Sequence, residues 1–454
     1  MAGVRFTFTS LKSSDARLGQ IISVWENTEL SMRTPNSFLY TRYGSVPFLP
    51  ADIYESIELL PTFAFFPMFY IAEKKSVLKK FKHGVGKFCG LGNKHVFLFQ
   101  TDPVDPAPVS AADRISVPVW ATGGRIQLSI QDYAQCTILA APQAFQAPTD
   151  NETGLSASAS IGRKRCTKSA VRTGGYLEKT LEIRRQSADL KRIPMFVSIA
   201  GGNDLECRLG SIQHTDFSVA SGVVLDGFCD NSLEDKDRSP SDDEVKKESK
   251  LNLLPSFFEL LPTICKNLPS HLPRFLTGVW KPSEIAAAVQ CGIDLFDGSL
   301  PYRLTRSGIG WIYSGWDIEA KSACDEPYHP HSQPPFLLFP LEESVHLSQE
   351  DVYTTPLQPG CECFACKHHT RGYISHLHIV KEMLAPMLLM IHNSHQYYRF
   401  LEDLRRSAEV GQIERFTKFA ERWEFPPEVL AVDKTNESKS FMNSSADGNI
   451  SDLL

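Results

Sequence analysis

The stretch Cys361-Glu362-Cys363-Phe364-Ala365-Cys366 places three thiols within six residues, and His392 follows 26 positions after the last of them. Three thiolates and one imidazole are the ligand set of a closed, four-coordinate structural Zn²⁺ site. The tight C-x-C-x₂-C spacing is hard to attribute to chance in a chain with 11 cysteines. The alternative, three reduced surface cysteines without a shared role, is the weaker hypothesis. We predict one zinc ion per chain, bound by Cys361, Cys363, Cys366 and His392.

The residues after the cysteines predict a helix that packs on another surface. Apolar residues recur at steps of three and four from Leu377 to Ile391, and His392 stands at the end of this stripe. A histidine beside an apolar helix face is by default a core residue, but the three upstream thiols favour the ligand role. Other nearby histidines remain alternatives for the fourth ligand: His368, His369, His376, His378 and His395.

Size and composition limit the classes of protein that fit. The chain has 454 residues, of which 42% are hydrophobic, enough for one large domain with insertions or for two or three smaller ones. The formal net charge of −6 means that a nucleic-acid partner must be met by local basic patches. The odd number of cysteines favours a reducing compartment. The most apolar run, residues 59–72, is too short to span a bilayer.

Strand-like and helical runs alternate along the first 350 residues. The alternation of residues 5–9 predicts the first strand of the domain, and no secretory signal is visible. Further strands are predicted at 195–199, 217–225, 274–279 and 293–296, and helices at 205–214, 254–268 and 282–290. Repeated βα units indicate a parallel sheet, either doubly wound or closed into a barrel. The pattern leaves both open, and the chain length favours a barrel with insertions.

Composition also predicts the divisions of the chain. Residues 148–178 are rich in Ser, Thr, Gly and Arg and predict a flexible insertion that touches RNA. Residues 230–250 and 434–454 predict a disordered insertion and a disordered tail. The predicted division is a barrel over 1–350 and a zinc-binding helical subdomain over 351–425. Lysines crowd residues 74–87, which usually means a solvated face and alternatively a phosphate-contact surface.

A second informative stretch runs from Pro273 to Gly308. Asp297 follows a predicted strand, and in a barrel the catalytic side chains lie at such strand ends. Arg303 and Arg306 come shortly after it and suit contacts with phosphates or bases. These two arginines are our candidate RNA-binding residues.

These stretches resemble the tRNA-guanine transglycosylases. That family has a Pro-Arg-Tyr-Leu-Met-Gly-Val-Gly run, then Gly-Val-Asp-Met-Phe-Asp-Cys-Val-Leu-Pro-Thr-Arg, and later C-x-C-x₂-C with a distant His-Asn pair, here His392-Asn393. The resemblance is most specific over 273–308 and 361–400. It implies an α/β fold, a (β/α)₈ TIM-like barrel with a C-terminal zinc-binding helical subdomain, and Zn²⁺ as the only metal. It also implies that Asp297 stands at the position of the nucleophile.

The chain departs from the family at positions that bind or react with the base. The family's acid/base Asp is matched to Ala121, and its base-reading Gln to Ala200. The stretch matched to the guanine-reading Asp, residues 138–143, holds no acid. Gly298 replaces a family Cys, and Tyr302 replaces a Thr.

These departures bear on catalysis. Base exchange at C1′ needs a carboxylate nucleophile, a positioned proton partner and groups that bind the extruded purine. We therefore predict no catalytic residue in this chain and interpret Asp297 as a structural carboxylate paired with Arg303. The alternative is an active transglycosylase with a remodelled pocket and Asp297 as its nucleophile.

This combination resembles the non-catalytic members of the family. The resemblance implies a heterodimer with the catalytic subunit of queuine tRNA-ribosyltransferase, which exchanges guanine for queuine at the wobble position of tRNAs with GUN anticodons (those for Asp, Asn, His and Tyr). This chain would bind the partner and tRNA. The resemblance also implies a cytoplasmic location and leaves open peripheral association with the mitochondrial outer membrane. A third hypothesis, a zinc-dependent interaction protein unrelated to tRNA, requires the match over 273–308 to be accidental.

Overall fold

A computed structural model describes most of the chain. The described residues are 3–11, 14–92, 94–104, 112–121, 123–151, 153, 162–228, 257–317, 336–340 and 354–421. The predicted insertion at 230–250 and the predicted tail at 434–454 lie outside them. Within the described ranges, no helix combines the length and the apolar character needed to cross a membrane.

The chain begins with a three-stranded antiparallel sheet made of β1 (Gly3–Ser10), β2 (Arg17–Trp25) and β3 (Thr28–Thr34). Residues 5–9 therefore belong to the first strand, as predicted, and this strand lies in a sheet separate from the barrel. Its alternating burial suits an antiparallel sheet with one covered face. We call this sheet the cap sheet.

The remaining strands fall into one large parallel sheet and two hairpins. In chain order they are β4 (Asn36–Ser37), β5 (Leu39–Tyr40), β6 (Phe63–Pro67), β7 (His95–Phe99), β8 (Ser116–Ala121), β9 (Gly124–Ser129), β10 (Ala144–Gln146), β11 (Met195–Ile199), β12 (Gly222–Leu225), β13 (Arg274–Leu276), β14 (Leu295–Phe296), β15 (Ile309–Tyr313) and β16 (Phe336–Pro340). β8 pairs with β9, and β15 with β16, both antiparallel.

The parallel sheet closes into a barrel. Its order is β4-β14-β13-β12-β11-β10-β7-β6-β5. Only Phe38 separates β4 from β5, so β14 and β6 pair with two halves of the same strand. The N–H of Phe38 donates to the carbonyl of Phe296 across this junction at 2.8 Å. Eight parallel strands thus form a ring, and the predicted (β/α)₈ TIM-like barrel is confirmed.

Helices alternate with these strands and cover the barrel. They are α1 (Ala51–Tyr54), α2 (Met68–Phe81), α3 (Gly84–Phe88), α4 (Ile130–Ala140), α5 (Arg163–Gln186), α6 (Ala188–Arg192), α7 (Leu205–Gln213), α8 (Phe257–Lys266), α9 (Pro282–Gln290), α10 (Leu300–Arg306), α11 (Phe364–His368), α12 (Arg371–Ile379), α13 (Leu384–Glu409) and α14 (Ile413–Glu421).

Helix α9 shows how local sequence sets these boundaries. Pro282 begins it, where its missing N–H costs nothing, and Glu284 accepts from the N–H of Lys281 at 2.8 Å. Gly292, at φ +96°, turns the chain away after the helix ends. The predicted helix over 282–290 is confirmed.

We predicted a flexible insertion over 148–178. This prediction is wrong for residues 163–178, which form part of a helix. Residues 163–178 belong to α5, and two of their arginines are committed to one buried acid. Arg165 Nη1 lies 2.9 Å and Arg172 Nη1 lies 3.1 Å from Asp150 Oδ2. The arginine-rich composition therefore reflects internal ion pairing in this helix. Residues 154–161 lie outside the described part of the chain.

The continuous helical stripe expected before His392 is also divided. Helix α12 ends at Ile379, Lys381 adopts a left-handed φ of +59°, and α13 starts at Leu384. His392 therefore lies inside α13 and not at the end of a stripe. Both α10 and β15 pack against α13, which joins the C-terminal helices to the barrel.

Candidate functional site

The four predicted metal ligands come together at one point. Cys361, Cys363 and Cys366 place Sγ at 3.9, 3.5 and 3.3 Å from Nδ1 of His392. All four ligand atoms lie within 4.8 Å of one another, and all four residues are buried. Metal bonds of about 2.3 Å to sulfur and 2.0 Å to nitrogen separate tetrahedral S and N ligands by roughly 3.5 Å. The cluster can therefore hold a metal ion after small adjustments.

The surroundings of the cluster orient its histidine. Nε2 of His392 lies 2.8 Å from the carbonyl of Trp311, so Nδ1 faces the thiols. Asn393 accepts from the N–H of Trp311 and donates to the carbonyl of Ile309, both at 2.8 Å. Gln396 donates to Sγ of Cys361 at 3.1 Å. Such partners fix the tautomer and direction of a ligating imidazole.

The charge of the cluster also suits a cation. Burial lowers the pKa of His392, but hydrogen bonds with Cys361 and Cys366 outweigh burial and raise it to about 9 in the metal-free chain. The thiols thus attract a positive charge to this point, which either a proton or a metal ion can supply. Among the described residues, His392 is the histidine whose ring nitrogen lies beside the three thiols.

Asp297 lies at the barrel mouth, past the carboxyl end of β14. It is 2% exposed. Its Oδ2 accepts from the N–H of Gly278 and its Oδ1 from the N–H of Ser299, both at 2.9 Å, and the Ser299 hydroxyl also donates to Oδ1. Burial raises the pKa of Asp297 to about 7, although these hydrogen bonds oppose the rise. At neutral pH a large share of this carboxyl is therefore protonated. Its pairing with Arg303 stays a prediction.

Gly298 has no side chain, which allows its backbone to lie close to Phe38, between β4 and β5. Its φ is +77°, and a Cβ built on it would lie 2.1 Å from the carbonyl oxygen of Phe38. A side chain here would strain the backbone and push β14 away from β4.

Substitution of Gly298 tests this strain. We expect Gly298→Cys, which restores the family residue, to destabilise the chain by roughly 2–4 kcal/mol and to produce no exchange activity. Urea unfolding would measure the loss. Gly123→Cys is the control, because a Cβ at Gly123 meets nothing within 4 Å. Equal stability of the two variants would contradict the close approach.

The candidate RNA-binding arginines differ in accessibility. Both lie in α10, but Arg303 is 3% exposed whereas Arg306 is half-buried. The burial of Arg303 argues against direct contact with RNA in this conformation. Contact through Arg306 stays a prediction.

A model of the queuine tRNA-ribosyltransferase family matches residues 12–424. This chain belongs to that family. A Xenopus tropicalis protein is 31% identical over 423 residues, which cover 88% of this chain and 95% of the relative. A Homo sapiens protein is 29% identical over 431 residues, covering 89% and 96%. A Drosophila mojavensis protein is 26% identical over 434 residues, covering 94% of each. All three are named queuine tRNA-ribosyltransferase accessory subunit 2.

The sequence analysis did not identify one acidic residue at the barrel mouth, Asp102. Asp102 follows β7 and accepts from the Tyr40 hydroxyl at 2.6 Å and from the N–H of Val104 at 3.0 Å, while Arg42 Nε lies 3.6 Å from its other oxygen. Its charge adds to the rise in the pKa of Asp297. Ala121, matched to the family's acid/base position, instead ends β8, outside the barrel ring. The mouth therefore holds a second acid besides Asp297.

The base-reading positions are also clearer in the structure. Residues 138–143, matched to the guanine-reading acid, precede β10, and the strand ends at Gln146. Gln146 donates to Ser198 at 3.1 Å and to Asp226 at 3.0 Å, and its oxygen accepts from the N–H of Gln100 at 3.0 Å. Ala200 follows β11 and is fully buried. The amide at this strand end is thus engaged within the protein.

Proposed function

We propose that this chain is the non-catalytic subunit of heterodimeric queuine tRNA-ribosyltransferase. It supports exchange of guanine for queuine at the wobble position of tRNAs with GUN anticodons by binding the catalytic subunit and tRNA. The observation that carries the proposal is the accessory-subunit name shared by relatives that align with 88% or more of this chain. The third hypothesis, an interaction protein unrelated to tRNA, is wrong because the chain belongs to the family.

The barrel mouth supports a non-catalytic role. A nucleophilic carboxylate must be ionised and free to approach C1′. Asp297 instead receives three hydrogen bonds from Gly278 and Ser299, and burial keeps its pKa near 7. The second acid, Asp102, is engaged by Tyr40 and Arg42. Both carboxyl groups therefore serve the internal structure of the mouth.

The decisive experiment compares the chain alone with the reconstituted pair. We expect the purified chain to show no incorporation of labelled guanine into tRNA, and the pair to keep its activity when this chain carries Asp297→Asn. Asn keeps the shape and one acceptor, so folding is least disturbed. The matched control replaces the nucleophile of the catalytic subunit, which should abolish exchange. Activity of the isolated chain that Asp297→Asn removes would establish the active-transglycosylase alternative.

We further propose that the metal is Zn²⁺, one ion per chain, held by Cys361, Cys363, Cys366 and His392. Four protein ligands leave no position for water, so the ion would supply structural stability and no reaction chemistry. Asn393 and Gln396 then hold α13 in register with β15 and with Cys361. The helices beside the cluster become a rigid surface.

That surface is where we place the catalytic subunit. The helices around the cluster, together with the turn between α12 and α13, expose a set of large apolar side chains, which we call the apolar patch: Phe364, Tyr373, Ile379, Val380, Met383 and Leu384. Met383 is 79% exposed, the highest value in the set. Clustered exposed apolar residues on a soluble chain mark interaction sites. We expect a metal ion in the Cys₃His cluster to hold the patch in shape before the partner binds.

A charge in the apolar patch should separate the two subunits. We expect Met383→Lys to weaken heterodimer formation by about 10- to 100-fold, since a buried lysine at an interface centre loses its hydration. Calorimetry with the catalytic subunit would measure the change. Val171→Lys is the control, because Val171 is 70% exposed on α5, away from the patch. Equal affinities for the two variants would contradict docking at the patch.

The remaining parts of the proposal concern tRNA and location. Arg306 and the lysines of residues 74–87 are the proposed tRNA-backbone contacts on the barrel. A cytoplasmic location, with peripheral association at the mitochondrial outer membrane, rests on the family resemblance alone.

A further inference from the structure

Basic side chains gather on the barrel face opposite Asp297. In a (β/α) barrel the helices run antiparallel to the strands, so α2 and α5 end on the face where the strands begin. Cations occupy these ends and the short helices that follow: Lys79, Lys80, Lys82, Lys87, Arg184, Arg185, Lys191 and Arg192. We call this set the basic rim.

The two halves of the basic rim are neighbours. Helices α2 and α3 pack against α4, and α4 packs against α5 and α6. The close fit at Gly84, where a Cβ would lie 3.0 Å from the carbonyl oxygen of Ala140, shows that α3 starts against the end of α4. One helix, α4, thus lies between the two halves of the rim, so the axes of α2 and α5 are about 20 Å apart.

Most of these cations are uncommitted. The four rim lysines, Lys79, Lys80, Lys82 and Lys87, are exposed, as are Arg185 and Lys191. None of these six cations forms an ion pair within the described residues. Lys75, on the same helix α2, is by contrast paired with Asp132 at 2.8 Å. The acids near the rim are Glu182, Asp189 and Asp216. The rim is therefore locally positive on a chain whose net charge is −6.

A groove of about 320 Å³ opens within the rim between α5, α6 and the turn before β12. Leu181 and Val219 form its apolar wall, and Arg184, Arg185 and Lys191 line it together with Asp216. Arg184 is held in place because it donates to the carbonyl of Lys191 at 3.1 Å and to that of Ile193 at 2.9 Å. Cations beside an apolar wall suit a phosphate together with its sugar.

We propose that the lysines of α2 and α3 do not act alone: the whole basic rim, on the face far from the barrel mouth, is one RNA-contact surface that binds the phosphate backbone without regard to sequence. RNA as the polyanion rests on the proposed function. An anionic membrane fits less well, because interfacial binding adds apolar side chains that insert beside the cations. Val77, which is 43% exposed, is the exposed large apolar residue nearest the rim lysines within α2.

The test measures tRNA binding by the full chain across a series of salt concentrations. Lys80→Gln combined with Lys191→Gln removes one cation from each half of the rim. We expect the double variant to bind a GUN-anticodon tRNA and an unrelated tRNA more weakly to the same extent. The slope of log affinity against log salt should fall by about 1.5, as expected when two phosphate contacts are lost.

The control makes the same change in net charge elsewhere. Lys381→Gln with Lys418→Gln alters two exposed lysines, one in the turn before α13 and one in α14, and should leave the slope unchanged. An unchanged slope in the rim variant, or equal losses in both variants, would overturn the proposal. So would loss of binding to phosphatidylserine vesicles with tRNA binding intact, which would make the rim a membrane surface. Exchange by the reconstituted pair reports separately on the proposed function.

Discussion

Cys363→Ser is expected to abolish zinc binding and, with it, binding of the catalytic subunit. Cys363 is the N-cap of α11, where its Sγ accepts from the N–H of Cys366 at 3.4 Å and lies 3.5 Å from Nδ1 of His392. A serine hydroxyl does not replace a thiolate ligand, and three remaining ligands no longer close the coordination shell. Structural zinc contributes on the order of 10 kcal/mol in small domains, as much as the stability of many whole proteins.

Elemental analysis measures the first outcome, with one zinc ion expected per unaltered chain and none in the variant. Co-purification with the catalytic subunit measures the second, because the apolar patch lies on helices that the cluster holds. Cys291→Ser is the control, since Cys291 is a partly buried free cysteine after α9 and should keep both properties. Full zinc content in Cys363→Ser would show that the metal binds elsewhere.

The metal cluster was predictable because most of its information is local. Three thiols within six residues converge in almost any compact conformation, whereas the position of His392 depends on the packing of α13 against β15. Local sequence patterns also predicted the correct bounds of α9 and β11. The arginine-rich segment was wrongly predicted to be flexible because composition alone does not distinguish paired arginines from solvated ones. Arg165 and Arg172 are paired with Asp150, which lies outside the arginine-rich run.

Asp102 was missed for a different reason. The family's acid/base Asp belongs to an Asp-Ser-Gly-Gly-Phe-Gln motif, and we matched it to Ala121 because Gly123 and Gly124 follow. These glycines lie at the β8–β9 hairpin, where Gly124 has a φ of +104°. Which acids share the barrel mouth depends on where each strand ends, and the ring order sets those ends. A usable signal was present, because the apolar run Val96-Phe97-Leu98-Phe99 precedes Asp102 by only a few residues.

Strand β14 is held by a buried carboxylate at each end. Asp297 follows it at the mouth, and Asp294 precedes it beside the cap sheet. Arg17 Nε lies 3.1 Å from Asp294 Oδ1, and the N–H of Arg274 donates to Oδ2 at 2.7 Å. Burial raises the pKa of Asp294, while the charge of Arg17 opposes the rise. This ion pair joins the cap sheet to the barrel.

Asp294→Asn should therefore destabilise the chain by about 3–5 kcal/mol, because it leaves the guanidinium of Arg17 buried without its counter-charge. Thermal or urea unfolding would measure the loss. Glu29→Gln is the matched control on the same sheet, since Glu29 pairs with Arg5 at 3.4 Å but both side chains are more than half exposed; exposed pairs contribute about 0–1 kcal/mol. Equal losses of stability in the two variants would show that the ion pair of Asp294 does not hold the cap sheet to the barrel. A larger loss for Asp294→Asn, with exchange by the assembled pair retained, would show that the carboxylates of β14 serve the fold.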